Sequence, residues 1–166
     1  MDELKGILQK EDPDIATIVE CLPKYTKSPI QKSELEIKGY ELHWNVDHSN
    51  CHRGICIYTK CGLTSSEEEG LTLFHFKESL WVTIRLNSRE EQLLLGVIYR
   101  SPASSVDDSL KVIDLINAAS DKKATNLCIC GDFNLPKVRW KDGQGTTQID
   151  QDSDDRTSDS FEGNFF

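Results

Sequence analysis

The sequence predicts an α/β protein in which buried strands and amphipathic helices form layers. Three observations carry that reading. Residues 93–131 run apolar stretch, helix-period stripe, apolar stretch, the order of a strand–helix–strand unit. Residues 80–86 alternate strictly, Leu80, Val82, Ile84 and Leu86 against Trp81, Thr83 and Arg85, the period of a half-buried strand. The run Leu127-Cys128-Ile129-Cys130 then stops at Gly131-Asp132-Phe133-Asn134, a continuous apolar segment closed by a turn signal, as in a strand buried on both faces.

Taken in order, residues 3–10 place Leu4, Ile7 and Leu8 at helical spacing, and Pro13 ends that helix. Ile15-Ala16-Thr17-Ile18-Val19 is β-branched and reads as a buried strand closed by Glu20. Residues 22–50 are polar, hold Pro23, Pro29 and Gly39, and read as loop. Gly54-Ile55-Cys56-Ile57-Tyr58-Thr59 is a strand, and Ser65-Ser66-Glu67-Glu68-Glu69-Gly70 a solvated loop whose charge needs no function. Leu93-Leu94-Leu95-Gly96-Val97-Ile98 is a buried strand that ends at Tyr99-Arg100-Ser101-Pro102. Ser105 and Asp108 form a capping pair for the next helix, whose apolar stripe is Val106, Leu110, Val112, Ile113 and Ile116. Lys122 and Lys123 follow its C-terminus, where positive charge is favourable. After Trp140 the chain is rich in Gly, Asp, Ser and Thr without a period, so 141–166 is expected to be an acidic, loop-like or disordered segment of the same domain.

At 166 residues the chain is long enough for one domain with a core. Its net charge of −9 argues against a general nucleic-acid binder. That charge is uneven, because residues 147–166 carry six carboxylates against Arg156 alone. Without that tail the acidity is mild. Met1-Asp2-Glu3-Leu4-Lys5 begins no apolar leader, and the apolar run at 93–99 is too short to span a bilayer. The expectation is an intracellular chain, in nucleus or cytoplasm, with no membrane partner and not secreted. Cysteines are then expected as thiols. Cys128 and Cys130 read as small core residues, and the spacing of Cys51, His52, Cys56 and Cys61 does not suit a zinc knuckle.

Chemistry gathers at strand ends, the place where α/β proteins keep it. Three strands finish on functional groups: Glu20, Tyr99 with Arg100, and Asp132 with Asn134. In an extended backbone Asp132 and Asn134 share a face, with Phe133 opposite. Hard oxygen ligands of this kind suit Mg²⁺ or Mn²⁺, which keep waters and bind phosphate through the rest of the shell. Tyr99 and Asn134 can donate hydrogen bonds to the same phosphate.

These segments also form an ordered set: Pro13-Asp14-Ile15 followed by Glu20, Arg53-Gly54-Ile55-Cys56-Ile57-Tyr58, Glu78-Ser79-Leu80-Trp81-Val82, Tyr99-Arg100-Ser101-Pro102, and Gly131-Asp132-Phe133-Asn134-Leu135-Pro136 with Trp140. The set resembles the endonuclease domain of non-LTR (LINE or jockey-like) retrotransposons. That domain belongs to the endonuclease/exonuclease/phosphatase superfamily, with DNase I, apurinic/apyrimidinic endonucleases, sphingomyelinases and inositol phosphatases. The resemblance spans residues 3–166. It implies a DNase I-like four-layer α/β sandwich, with 1–140 as a partial copy of the domain, and Mg²⁺- or Mn²⁺-dependent hydrolysis of a phosphodiester. By position it implies Glu20 as metal ligand, Asp132 as the aspartate that orients or activates the attacking water, Asn134 as the holder of the scissile phosphate, and Tyr99 as a phosphate contact. It implies DNA as substrate, nicked to free a 3′ end that primes reverse transcription.

Members of the family also carry an early strand with a metal-supporting Asn, and two later segments with an Asp and a Ser-Asp-His. None of these matches a position here, and His43, His48, His52 and His75 all precede Tyr99 and read as surface or loop residues. General acid–base help is worth roughly 10²–10⁴-fold, so weak or absent activity is expected. The alternatives are a non-catalytic remnant or interaction module, and a small-molecule or lipid phosphatase of the same superfamily.

Overall fold

The structure is a computed structural model that describes residues 2–22, 29–46, 53–72, 76–86, 91–134, 138–140 and 147–149. In chain order its elements are α1 (Asp2–Glu11), β1 (Ile15–Val19), α2 (Lys32–Leu35), β2 (Tyr40–Val46), β3 (Gly54–Lys60), β4 (Thr64–Glu67), α3 (Glu69–Thr72), β5 (Ser79–Arg85), β6 (Gln92–Tyr99), α4 (Val106–Ser120), β7 (Asn126–Asp132), β8 (Val138–Trp140) and β9 (Thr147–Ile149).

Two sheets face each other. The first has the order β1-β3-β2, all antiparallel; the second has the order β4-β5-β6-β7, in which β6 and β7 run parallel. The parallel pair is joined by α4, as a strand–helix–strand crossover requires. β8 and β9 form a separate two-stranded ladder.

Side-chain alternation sorts the core into three layers of contact. Ile55 and Ile57 of β3 meet Leu80, Val82 and Ile84 of β5 and Leu95 and Val97 of β6 between the sheets. The other face of β3, Cys56 and Tyr58, packs with Leu42 of β2 under Leu8 of α1 and Leu35 of α2. The outer face of the second sheet, Trp81, Leu94 and Ile98, packs under Val112, Leu115, Ile116 and Ala119 of α4 and Leu71 of α3. The order helix, sheet, sheet, helix is a four-layer sandwich. Trp81 lies opposite Gly96 in the ladder, and a Cβ at Gly96 would collide with the indole ring.

Several expectations change. Residues 22–50 are not all loop, because 32–35 form α2 and 40–46 form β2. The signal was present as alternation: Tyr40, Leu42, Trp44 and Val46 all face the α1–α2 layer. Within the acidic stretch, 64–67 pair with β5, and Glu68 accepts from Thr83 Oγ1 at 2.8 Å and meets Lys122 Nζ at 3.2 Å. Lys122 therefore pairs with a side chain besides lying past the helix end. The first part of β5 is buried on both faces, since helices cover Trp81 on the side that alternation alone leaves to solvent, while Thr83 is half-buried and Arg85 exposed.

β7 departs in the other direction. It is the edge of its sheet, so Leu127 is 41% exposed and Cys128 exposed, with Cys130 half-buried. Only Ile129 and Cys130 reach the core clusters. β1 is likewise a half-buried edge strand rather than a buried one. On α4 the Ser105–Asp108 capping box forms as expected. Its buried stripe is Ser109, Val112, Ile113, Leu115, Ile116 and Ala119, while Val106 and Leu110 are exposed. Within 141–166, residues 147–149 are a strand; the remainder lies outside the described residues, as do His48, His52, His75, Cys51, Leu135 and Pro136. His43 is no surface residue. It is buried on β2, with Nε2 2.9 Å from Ser65 Oγ of β4 and Nδ1 3.4 Å from Glu67 Oε1.

Candidate active site

The parallel register of β6 and β7 sets Tyr99 directly against Asp132, so both strands deliver their last residue to one end of the sheet. β1 of the facing sheet ends there too. Tyr99 Oη donates to Glu20 Oε1 at 2.7 Å across the sandwich. Burial, then the bond to Glu20, push the Tyr99 phenol up to about 12, and the nearby Asp132 charge acts in the same direction. Tyr99 is therefore a neutral donor at physiological pH.

The aim of Glu20 comes from its backbone. Along β1 the odd residues Ile15 and Val19 face the inter-sheet core and the even residues Ala16 and Ile18 face the helices. Glu20 is even, yet bonds Tyr99 of the inter-sheet core; Cys21 is odd, yet packs with the helix side. The cause is the left-handed backbone of Glu20, φ +52°, which reverses the alternation in one residue. Among the described residues the non-glycine positions with positive φ are Asp12, Glu20 and Asn134, so two of the three belong to this site. Such conformations cost about 1–3 kcal/mol each and persist where the surroundings enforce them.

The Asp132–Asn134 segment is enforced by Arg100. Arg100 N donates to Asp132 O at 2.7 Å, Arg100 Nη1 to Asn134 O at 2.9 Å, and Asn134 Nδ2 to Arg100 O at 2.7 Å. Ser109 of α4 accepts from Arg100 Nε and Nη2 at 3.1 and 2.9 Å, so the buried guanidinium ties the turn to the helix. Asn134 N donates to Asp132 Oδ1 at 3.0 Å. The segment is thus a turn, not the extended backbone that would set Asp132 and Asn134 side by side. Its side-chain-to-backbone bond competes successfully with continued strand. Gly131, at φ +138°, is required there: a Cβ would overlap the Ile98 carbonyl oxygen.

Arg53 lies against the other side of Tyr99. Its Cζ is 5.6 Å from the ring centroid, Nη1 donates to Glu78 Oε1 at 2.6 Å, and Nη2 donates to Ser101 Oγ at 3.0 Å. Asn45, Arg53, Glu78 and Tyr99 help to line a cavity of about 20 Å³, room for one water. The sequence reading gave no role to Arg53, Glu78 or Ser101, because their partners lie 25 and 48 positions apart. Arg100 stands at a strand end in the sequence, but its bonds to Asn134 and Ser109 show that it holds the turn.

The four site residues therefore stand as follows. Glu20 and Tyr99 are in contact, Asp132 is the ladder partner of Tyr99, and Asn134 spends one amide hydrogen on Arg100, with the second unspent among the described residues. Glu20 and Asp132 are exposed, and among the described residues neither is in an ion pair. Among the described residues no three His, Cys, Asp or Glu side chains gather for a metal. The donor set fits a cation that takes one or two carboxylates and fills its shell with water and phosphate, as Mg²⁺ does.

The chain has the DNase I-like fold of the endonuclease/exonuclease/phosphatase proteins. The endonuclease domain of TRAS1, a telomere-specific non-LTR retrotransposon, matches with a TM-score of 0.63 at 17% identity over 98% of this chain and 62% of that one. The AP endonuclease LMAP from Leishmania major matches with a TM-score of 0.61 at 13% identity, over 97% of this chain and 59% of that one. ANGEL2, a 2′,3′-cyclic phosphatase, matches with a TM-score of 0.57 at 15% identity, over 81% and 43%. The chain thus spans about three-fifths or less of the length of these proteins. No protein-family model matches the sequence, and no curated protein matches it.

Proposed function

We propose that this chain carries the site of a metal-dependent phosphodiester hydrolase of the DNA-endonuclease type, derived from a non-LTR retrotransposon. The observation that supports it most is the meeting of three strand ends: Tyr99 donates to Glu20 while standing in register with Asp132. Two of the similar structures are endonucleases, which favours a nucleic-acid diester, and the resemblance to retrotransposon endonucleases favours DNA.

Glu20 would hold the cation, with water and phosphate filling the rest of its shell. When bound, Mg²⁺ or Mn²⁺ supplies charge stabilisation for a phosphoryl oxygen and the leaving group. Tyr99, kept neutral, spends its single O–H on Glu20 and so positions that carboxylate, while the side-chain amide of Asn134 donates toward the phosphate. Asp132, steadied by the Asn134 amide, is the group that accepts a proton from the attacking water. No described histidine reaches this end, since His43 lies on the opposite flank. Histidine acid–base help is worth roughly 10²–10⁴-fold, so slow turnover is expected.

The test is nicking of supercoiled plasmid by the purified chain with Mg²⁺, with EDTA, and with Asp132→Ala. Slow nicking that needs Mg²⁺ and disappears in the variant is the expected result. No nicking by a chain that melts cooperatively would overturn the hydrolase reading in favour of a non-catalytic module.

A further inference from the structure

We propose that Cys21 and Cys56 are a redox-active pair, a modification site at which a peroxide converts two thiols into a disulfide beside Glu20. Their sulfur atoms stand 3.2 Å apart. A disulfide measures about 2.05 Å, so bond formation needs the sulfurs to close by roughly 1 Å. The two thiols differ in access. Cys56 is fully buried in the centre of its sheet, whereas Cys21 is partly exposed just past the edge strand β1.

The pairing is built by the backbone. Ile18 is the ladder partner of Cys56, so a regular strand would carry Cys21 three residues beyond it and onto the opposite face. The left-handed Glu20 reverses the alternation and brings Cys21 back to the face of Cys56. Cys21 N then donates to Gly54 O at 3.1 Å. The Cys21 sulfur sits 2.8 Å from where a Gly54 Cβ would be, so the space at Gly54 is what admits it. One kink therefore aims Glu20 at Tyr99 and Cys21 at Cys56, and a bond at the second contact restrains the first.

The chemistry balances with hydrogen peroxide as oxidant. Cys21 sulfur attacks one peroxide oxygen, the O–O bond breaks, and Cys21 becomes a sulfenic acid with release of one water. Cys56 sulfur then attacks the Cys21 sulfur, the S–O bond breaks, and the oxygen leaves as a second water. Two thiols are oxidised and one peroxide is reduced. Cys61 and Cys128 are more exposed and serve as internal competitors.

The experiment treats the reduced, folded chain with hydrogen peroxide and maps the cysteines by mass spectrometry without reduction. Expected are a loss of two hydrogen atoms, a Cys21–Cys56 linked peptide, reversal by dithiothreitol, and a raised Tm for the oxidised chain. Cys21→Ser and Cys56→Ala should each abolish the linked peptide, and a cooperative melt of Cys21→Ser excludes misfolding as the cause. Sulfinic or sulfonic acid at Cys21 without the link would overturn the proposal. So would preferential linkage through Cys61 or Cys128, or a linked peptide that lowers the Tm. None of these readouts depends on nicking, so the pair stands or falls apart from the hydrolase reading.

Discussion

Two polar clusters join the sheets, one at each flank of the sandwich. At the β1/β7 flank, Glu20, Tyr99, Asp132 and Asn134 come from strand ends, and two of them hold left-handed backbone. At the β2/β4 flank, His43, Ser65 and Glu67, with Glu41 and Thr59, come from within regular strands. There Ser65 Oγ alone meets His43, Thr59 and Glu41 within 3.0 Å. The second cluster is a set of mutual partners around the buried His43 ring, with Glu41 and Glu67 exposed at its rim, so its bonds satisfy the buried ring and the Thr59 hydroxyl. The first spends backbone strain to present exposed carboxylates, which adds nothing to the packing of the core. The contrast separates a cluster built within regular strands from one built on strand ends and left-handed backbone, the one proposed to meet a ligand.

The sharpest way to break the contrast is at Gly131. Gly131→Ala forces a Cβ onto the Ile98 carbonyl at a positive φ, so a loss of about 3 kcal/mol or more is expected. Chemical denaturation measures it, and a loss under 1 kcal/mol would mean the turn is held less tightly than its contacts say.

Arg100→Lys is next. A lysine keeps the charge but loses the fork that spans Asn134 O and Ser109 Oγ, at a cost of about 2 kcal/mol. Nicking should fall more than stability does, because the turn bearing Asp132 loosens. Equal stability and unchanged nicking would show that the turn holds itself.

His43→Ala tests the other flank. It removes a buried ring with its bonds to Ser65 and Glu67 and is expected to lower stability by about 1–3 kcal/mol. Mg²⁺-dependent nicking below the melt should persist. A drop in nicking matching that of Asp132→Ala would erase the distinction between the flanks.

The smallest effect is Tyr99→Phe, about 1 kcal/mol for one hydrogen bond. Because the folded phenol titrates near 12, above its ordinary value near 10, its contribution is present below pH 10. It is lost as pH rises toward 12. Phenolate absorbance of the variant should lose one of the late-titrating tyrosines while the buried Tyr58 remains late, and loss of a step near pH 10 instead would place Tyr99 in solvent.

Much of the fold was legible because it rests on local rules. The apolar spacing of 3–10 made α1, the Ser105–Asp108 pair capped α4, and the 93–131 pattern made a parallel strand pair. What was lost was burial. Leu127-Cys128-Ile129-Cys130 is as apolar as a central strand, yet β7 is an edge; alternation in β5 promised a wet face, yet α3 and α4 bury Trp81 on it. A strand's neighbours are chosen by distant segments, and its own residues do not name them.

The sequence by itself determined which groups stand at strand ends: Glu20 after Val19, Tyr99 after Ile98, Asp132 after Gly131. Only the tertiary structure decided that they meet. It set β6 parallel to β7 so that Tyr99 faces Asp132, and it reversed the alternation at Glu20 so that one carboxylate and one thiol exchange faces. The physical reason is that a single left-handed residue costs little against the contacts of two packed sheets, so those contacts, rather than the period of the strand, choose where the side chain goes.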